Sequence, residues 1–282
     1  MPVLTFNEAA DLVIVKHKIK HRDSVTGITE KKLSYTLHLI WQAQKTRIAA
    51  ELDTKRNLFE SNTPFNEALA WSGLWDKTVS SWDKVLRAVS SRFQTTIQSA
   101  LTISYNGGVD AQIADVPGNV LPVQFSLPNE AATQWSETNA ARLVSGVDDT
   151  TRNSLRSLLT DARENGWAYT KTADEINAEF DGFSGGAAQR HIRDRAQLVA
   201  VTESCDAYEA GSRQAINTLS TYGLVYDKSW LATGNACPDI CAANMDQGWI
   251  SVDDAFQSGD DTPSGHPGCR CSALYKRREE EE

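Results

Sequence analysis

The chain has 282 residues, of which 40% are apolar and 23% are charged, and its formal net charge is −9. This composition excludes an intrinsically disordered chain. The acidic excess argues against a dedicated nucleic-acid-binding protein, which needs a basic footprint. No segment has the length and apolarity of a membrane span, and no apolar run near the first residue is typical of a secretory signal, so we expect neither.

The first hundred residues predict an extended helical region that begins with a short strand. Residues 12–19 (LVIVKHKI) combine branched apolar residues with alternating cations, a pattern that favours a strand. Apolar residues then recur every three or four positions across residues 31–60 and again across 66–104, which indicates two long helices. Gly73 is a point at which the second helix could kink or divide. We therefore expect residues 1–105 to form a helical N-terminal region.

A linker and a second helical part are predicted next. Residues 106–128 contain three glycines and three prolines, which favours a loop and a domain boundary. The helical pattern then resumes, and Asp148 or Asp149 is placed to cap a helix that Gly166 would end.

The remaining elements are a short helix, a long helix and a strand. Helical periodicity predicts a helix at residues 173–180 and a long amphipathic helix at 187–220, while residues 224–231 (LVYDKSWL) alternate as a strand does. The predicted fold class is mainly α with a small α+β C-terminal part. In it, a helical domain over residues 129–274 ends in a short-stranded tail held by Cys and His, and residues 275–282 form a charged tail.

Four of the five cysteines lie in the last fifty residues, together with one histidine. The candidate metal ligands are Cys237, Cys241, His266, Cys269 and Cys271. Thiolates and imidazole at short spacing, repeated after a loop, are the donors of a tetrahedral zinc site. Five donors for four places favour a closed structural site over a catalytic one. Which four bind stays open, as do a disulfide pairing and a role for His266 as the partner of a ligand.

Other polar residues have a structural and a functional interpretation. Two basic sets could contact nucleic acid or simply face water: Lys16, Lys18, Lys20 and Arg22 in the first, Arg190 and Arg193 in the second. Glu203 stands in an apolar helical pattern and needs a partner, for which Arg195 or Lys228 is available. We expect a structural ion pair between Glu203 and Arg195. Cys205 is most simply a buried apolar residue.

The motifs of several enzyme classes are missing from the sequence. No H-x-E, H-E-x-x-H or phosphate-binding G-x-x-x-x-G-K-S/T pattern occurs, so we expect no enzyme and no small-molecule substrate. One catalytic alternative stays open, a metal-dependent hydrolase or nuclease that uses the Cys/His cluster with Asp246 or Asp260. A free-standing zinc module that binds nucleic acid is a third alternative, disfavoured by the acidic balance.

In their order along the chain, several motifs between residues 130 and 274 resemble the phage minor head protein family, the phage Mu F-like or SPP1-type head morphogenesis proteins. They are T-R-x-x-L-R-x-L-L at 151–159, A-x-x-x-G-W at 162–167, R-A-x-x-V-A-x-T-E at 195–203, K-S-W-L at 228–231, C-P-D-I-C at 237–241 and H-P-G-C-R-C at 266–271. The last is the most specific. The chain departs from the family pattern at Val201, where the family has Arg, and in the spacing of Cys237 and Cys241, which is one residue longer.

The resemblance implies a minor capsid protein of a tailed bacteriophage or prophage. Such a protein associates with the portal protein and with capsid or scaffold components, acts in procapsid assembly, and in some relatives contacts double-stranded DNA during genome packaging or delivery. The implied location is the virion, in the head interior near the portal vertex, after assembly in the host cytoplasm. Residues 1–105 would then supply the portal and assembly contacts.

Overall fold

In the computed structural model the chain is mainly helical and carries one small antiparallel sheet, which confirms the predicted fold class. The structure describes residues 6–54, 68–114, 116, 129–165, 167, 169–184, 194–233 and 237–278. The helices are α1 (Phe6–Thr54), α2 (Ala68–Ser90), α3 (Gln94–Ile113), α4 (Asn129–Glu164), α5 (Tyr169–Ser184), α6 (Arg195–Ser220) and α7 (Ala243–Asp246). The strands are β1 (Tyr226–Leu231), β2 (Ile250–Ser251) and β3 (Ser272–Arg277), in the order β2-β1-β3. Within the described part of the chain, no helix is long and apolar enough to cross a membrane.

The strand predicted at residues 12–19 is wrong, because this segment lies inside the 49-residue helix α1. Branched residues lower helix propensity only slightly. Farther along, the same helix buries Leu33, Leu37 and Ile40 on one face, and tertiary burial of that kind overrides a weak local preference for a strand.

Part of the predicted linker is also helical, since α3 continues to Ile113. A Cβ atom at Gly108 would lie 1.9 Å from the carbonyl oxygen of Tyr208 on α6, and one at Gly211 would lie 1.9 Å from that of Tyr105 on α3. These two glycines therefore allow the backbones of α3 and α6 to touch. Both glycines therefore lie where two helices pack closely, and not in a loop. Residues 117–128 of the predicted linker lie outside the described residues.

Helix α4 has no break at its centre, so the predicted cap at Asp148 or Asp149 is wrong. Asp148 is buried, and it accepts hydrogen bonds from Nε2 of Gln44 at 2.8 Å and from Oγ of Ser90 at 2.6 Å. Burial raises the pKa of Asp148, an effect that these hydrogen bonds oppose. The second predicted helical run divides at a 3₁₀ turn, Ser91–Phe93, and not at Gly73.

Two compact units, each discontinuous in sequence, make up the fold. The described residues of 35–97 and 137–196 form one unit, and those of 1–34, 98–136 and 197–282 form the other. The boundary predicted at residues 106–128 does not coincide with this division. The second of these units contains the sheet and all five candidate metal ligands.

The sheet packs one face on α6 in that unit. Ile216 and Leu219 of α6 form a buried cluster with Tyr226 of β1 and Tyr275 of β3. The strand predicted at residues 224–231 is confirmed as β1. The charged tail predicted at 275–282 begins too early, because its first three residues belong to β3.

Candidate metal centre

Cys237 and Cys241 face each other because the segment between them forms a single π-helical turn. Pro238–Ala242 is that turn, and the N–H of Ala242 donates to the carbonyl oxygen of Cys237 at 3.1 Å. Cys237 caps the turn, since its Sγ atom accepts from the N–H of Cys241 at 3.4 Å. The residue that makes this spacing longer than C-x-x-C is therefore absorbed by the wider turn, which keeps both thiols on one side.

The second set of donors starts from a reverse turn over residues 266–269. The N–H of Cys269 donates to the carbonyl oxygen of His266 at 3.1 Å, and Gly268 between them has φ +76°. Pro267 at the second position and glycine at the third are the residues that a type II turn requires. The turn sets the imidazole of His266 beside the thiol of Cys241, with Nε2 3.3 Å from Sγ.

The tautomer of His266 follows from its hydrogen bond. Nδ1 lies 3.0 Å from the carbonyl oxygen of Pro267, which can only accept, so Nδ1 carries the proton. Nε2 is then the nitrogen with a free lone pair, and it lies 3.3 Å from Sγ of Cys241. A histidine that binds a metal through one nitrogen commonly donates the other N–H to a carbonyl in this way.

Cys241 lies at the centre of the five donors. Its Sγ atom lies 3.6 Å from Sγ of Cys237 and 3.8 Å from Sγ of Cys269. Two groups of donor atoms lie within 4.8 Å of one another, Cys237–Cys241–His266 and Cys241–Cys269–Cys271, and they share Cys241. The Cys/His cluster could therefore bind a metal ion. All five cysteines of the chain carry free thiols, so the disulfide alternative is not realised in this structure.

The pKa values of the four thiols in the cluster are shifted in different directions. The hydrogen bond from Cys269 lowers the pKa of Cys271 to about 5, and the same interaction raises the pKa of Cys269. Burial and the charge of Cys271 raise the pKa of Cys241 to about 12. Burial raises the pKa of Cys237, but hydrogen bonds from the backbone of Cys241 and Ile240 outweigh it, so the net shift is downward. Since the thiolate is the form that binds metal, two thiols of the cluster ionise more readily than usual, and the other two need a compensating positive charge.

One face of α6 holds the cluster segment in place. Oγ1 of Thr202 accepts from the N–H of Gly268 at 2.9 Å, and Asp206 accepts from Oγ of Ser264 at 2.9 Å. One turn on, Glu209 is fully buried and accepts from Oγ of Ser272 at 2.6 Å and from the N–H of Ala273 at 3.1 Å. Burial raises the pKa of Glu209 to about 7.

This polar face of α6 is not among the predicted features, although the sequence carries a signal for it. Thr202, Asp206, Glu209 and Arg213 recur at steps of four, three and four residues, which places them on one side of a helix. Arg213 continues the series, because its Nη1 donates to the carbonyl oxygen of Val252 at 2.8 Å. What the pattern could not reveal is that the hydrogen-bond partners lie between 39 and 66 residues farther along the chain.

Helix α1 makes a second attachment to the cluster. Arg270, between two candidate ligands, forms an ion pair with Glu30 at 2.5 and 2.9 Å. The guanidinium of Arg22 donates to the carbonyl oxygen of Arg270 at 2.5 Å and also binds Asp23. Arg22 is only 4% exposed. The prediction that it contacts nucleic acid is therefore wrong, because its charged group is used inside the protein.

The other basic residues are distributed differently from the prediction. On a helix, Lys16 and Lys20 share a face and Lys18 does not, so no continuous track of alternating cations forms. Lys16 and Lys20 are exposed, whereas Lys18 is partly buried. Arg190 and Arg193 lie outside the described residues.

Glu203 is buried, as its sequence context indicated, but its predicted partner lies in other surroundings. The guanidinium of Arg195 lies over the ring of Phe183, 5.1 Å from its centroid. Burial lowers the pKa of Arg195, while Glu179 opposes that shift. Lys228, the other partner considered, is fully buried and donates from Nζ to the carbonyl oxygen of Asp261 at 2.8 Å. The ion pair between Glu203 and Arg195 stays a prediction.

The remaining sequence-based candidates fall outside the donor groups. Cys205 is buried, as predicted, and burial raises the pKa of its thiol to about 12. Asp246 is exposed, and Asp260 accepts a hydrogen bond from Oγ of Ser258 at 2.7 Å. Neither carboxylate belongs to the two groups of potential metal ligands found among the described residues.

Comparisons with known protein families, with curated proteins and with solved structures gave no match to this chain.

Proposed function

We propose that this chain is a structural protein of a tailed-phage head, a minor head protein whose C-terminal segment is closed by one Zn²⁺ ion. The observation that carries the proposal is the meeting of three motif segments at the Cys/His cluster. Gly268 of H-P-G-C-R-C bonds Thr202 of the α6 motif, and Trp230 of K-S-W-L packs in one buried cluster with Cys241, Cys269 and Cys271. The three motif segments lie some thirty residues apart along the chain, and they thus meet at one place in the folded protein.

The donor distances support zinc. With Zn–S bonds near 2.3 Å, the sulphur atoms of a tetrahedral site lie about 3.8 Å apart, and a sulphur and an imidazole nitrogen about 3.6 Å apart. The observed separations are 3.6 and 3.8 Å between sulphurs and 3.3 Å from Cys241 to His266. A set of four thiols and one imidazole also selects zinc over Mg²⁺ or Ca²⁺, which prefer oxygen ligands.

The number of protein donors supports a structural role. A catalytic zinc keeps one place open for water or substrate, whereas a structural zinc is closed by four protein ligands. Here five donors lie in two groups of three that share Cys241, and a closed site would draw its four ligands from both groups. The bound ion would join the π turn at residues 237–241 to the start of β3, two segments that α7, β2 and the loop after β2 separate along the chain.

The head-assembly role depends on the ordered motifs and is tested by binding. The full chain is mixed with the portal protein encoded in the same genome, and the mixture is sedimented. We expect a complex of the two proteins, and we expect mass spectrometry to find the chain in mature particles. Failure of both experiments would overturn the assignment to the phage head. Phosphodiesterase and esterase assays of the zinc-loaded chain address the hydrolase alternative, and turnover that depends on Cys241 would favour it.

A further inference from the structure

The segment that follows the π turn carries exposed apolar side chains. Met245 of α7 is 44% exposed, and Trp249, just before β2, is 49% exposed. The N–H of Gly248 donates to the carbonyl oxygen of Met245 at 3.1 Å, so both side chains border one turn. Trp is highly buried on average, and both Trp and Met are enriched where proteins bind one another. This turn is therefore a candidate protein interface.

The charge around this turn is negative. Residues 232–269 contain six Asp and neither Lys nor Arg. Asp239 in the π turn and Asp246 in α7 are exposed, and neither carboxylate has an ion-pair partner in the described part of the chain. Arg213 of α6 reaches the segment at Asp253, with 3.7 Å between Nη2 and Oδ1. The acidic patch is defined as Asp239, Met245, Asp246 and Trp249. It suits a partner that is basic and also carries an apolar side chain.

Helix α1 presents a surface of that kind. The basic face of α1 is defined as Lys16, Lys20, Ile28 and Lys31, all of which are exposed. At about 3.6 residues per turn, these positions fall within about 120° around the helix and span about 22 Å along its axis. The three lysines have no ion-pair partner among the described residues, and Ile28 is 49% exposed. Asp23, at the border of this face, is bound by Arg22.

Gly27 leaves a gap in the middle of the basic face. A Cβ atom at this position would have nothing within 4 Å. A glycine inside an exposed stretch of helix costs about 1 kcal/mol relative to alanine, and here no packing neighbour requires it. The gap between Lys20 and Lys31 leaves room for a flat indole against the helix backbone, and the ammonium groups attract the face of such a ring.

We propose that the acidic patch of one molecule binds the basic face of α1 in a second copy of this chain. The two surfaces belong to the same compact unit and are both exposed, so neither covers the other within one molecule. They match in charge, and the exposed Trp249 and Met245 match the exposed Ile28 in apolar character. Because the two surfaces differ, the contact is heterologous, and each molecule offers its patch to one neighbour and its face to another. The proposal rests neither on the metal nor on the head-assembly role.

Sedimentation velocity of the full-length, reduced protein tests the contact, from about 1 to 200 μM to cover weak association. We expect the average mass to rise with concentration above the 31.0 kDa of one chain, and to fall again when added NaCl screens the charges. Trp249→Ala should weaken the association at least about tenfold, as the loss of a central Trp does in other interfaces. Protein that stays monomeric at every concentration would overturn the proposal.

Charge reversal separates this contact from any other self-association. Asp246→Lys impairs the acidic patch and Lys20→Glu impairs the basic face, and each change should weaken the association at least about tenfold. The matched controls are Asp161→Lys and Lys84→Glu, which reverse exposed charges in the other compact unit and change the net charge equally. Both controls should associate as the wild type does. Association of wild-type strength in Asp246→Lys and in Lys20→Glu would contradict the proposal.

A mixture of a patch variant with a face variant gives the most specific result. Trp249→Ala keeps an intact basic face and Lys20→Glu keeps an intact acidic patch, so an equimolar mixture should form a 1:1 dimer. Growth should stop at the dimer, because the patch and the face left over in that pair are both impaired. If the wild type associates and the mixed variants stay monomeric, the pairing of these two surfaces is wrong.

Discussion

Arg270 and Glu30 form a two-point ion pair that joins the Cys/His segment to helix α1. Arg270 stands between Cys269 and Cys271, so the position of this one side chain and the positions of two candidate ligands depend on each other. The carbonyl oxygen of the same residue accepts from Arg22.

Arg270→Gln should lower the free energy of unfolding by about 1–3 kcal/mol, because Glu30 is left largely buried without its partner. The measurement is urea unfolding of the metal-loaded protein, with metal content determined in parallel. Lys45→Gln is the control, since its partner Asp181 is mostly exposed, and it should cost less than about 1 kcal/mol. Equal losses for the two variants would show that the Arg270 pair does not support the fold.

Glu209 should make stability depend on pH. Its pKa is about 7 in the folded protein against an ordinary value of 4.5, so the folded state binds this proton more tightly than the unfolded state. The stabilisation by the protonated group is fully present below about pH 4.5 and is lost as the pH rises through about 7.

Glu209→Gln removes the titration but keeps an acceptor for Ala273 and a donor for Ser272. Relative to this variant, the wild type should lose about 3 kcal/mol of unfolding free energy across that pH range. Chemical denaturation of both proteins at each pH measures the difference, in which other titrations cancel. A difference that stays constant with pH would contradict the raised pKa.

Gly108→Ala should destabilise the protein by more than about 2 kcal/mol, because the new methyl group meets the carbonyl oxygen of Tyr208. Gly146→Ala is the matched control. It lies inside α4 with nothing within 4 Å of the added Cβ, and it should gain up to about 1 kcal/mol from helix propensity. Thermal unfolding compares the two. Similar Tm values for both variants would mean that α3 and α6 do not cross in contact at Gly108.

Local sequence patterns predicted those elements of the fold that form from residues close to one another along the chain. The donors at 237–241 and 266–271 were recognisable because each set forms within one turn. The alternating residues of β1 and the long helical runs were predictable for the same reason.

The errors concern residues whose role is set by a distant partner. Gly108 was assigned to a loop, since nothing in the sequence places Tyr208 against it. Arg22 was assigned to a basic surface, although it bonds a carbonyl 248 positions away. Glu209 was overlooked because its acceptor role exists only when β3 begins beside α6.

Metal analysis of purified, reduced protein tests the central claim most directly. We predict one zinc ion per chain, none in Cys241→Ser, whose residue belongs to both donor groups, and one in Cys205→Ser, whose residue belongs to neither. A chelator should lower the Tm of the wild type and of Cys205→Ser, and it should leave the Tm of Cys241→Ser unchanged. Wild-type protein that contains no metal and melts at the same temperature with and without chelator would contradict the account.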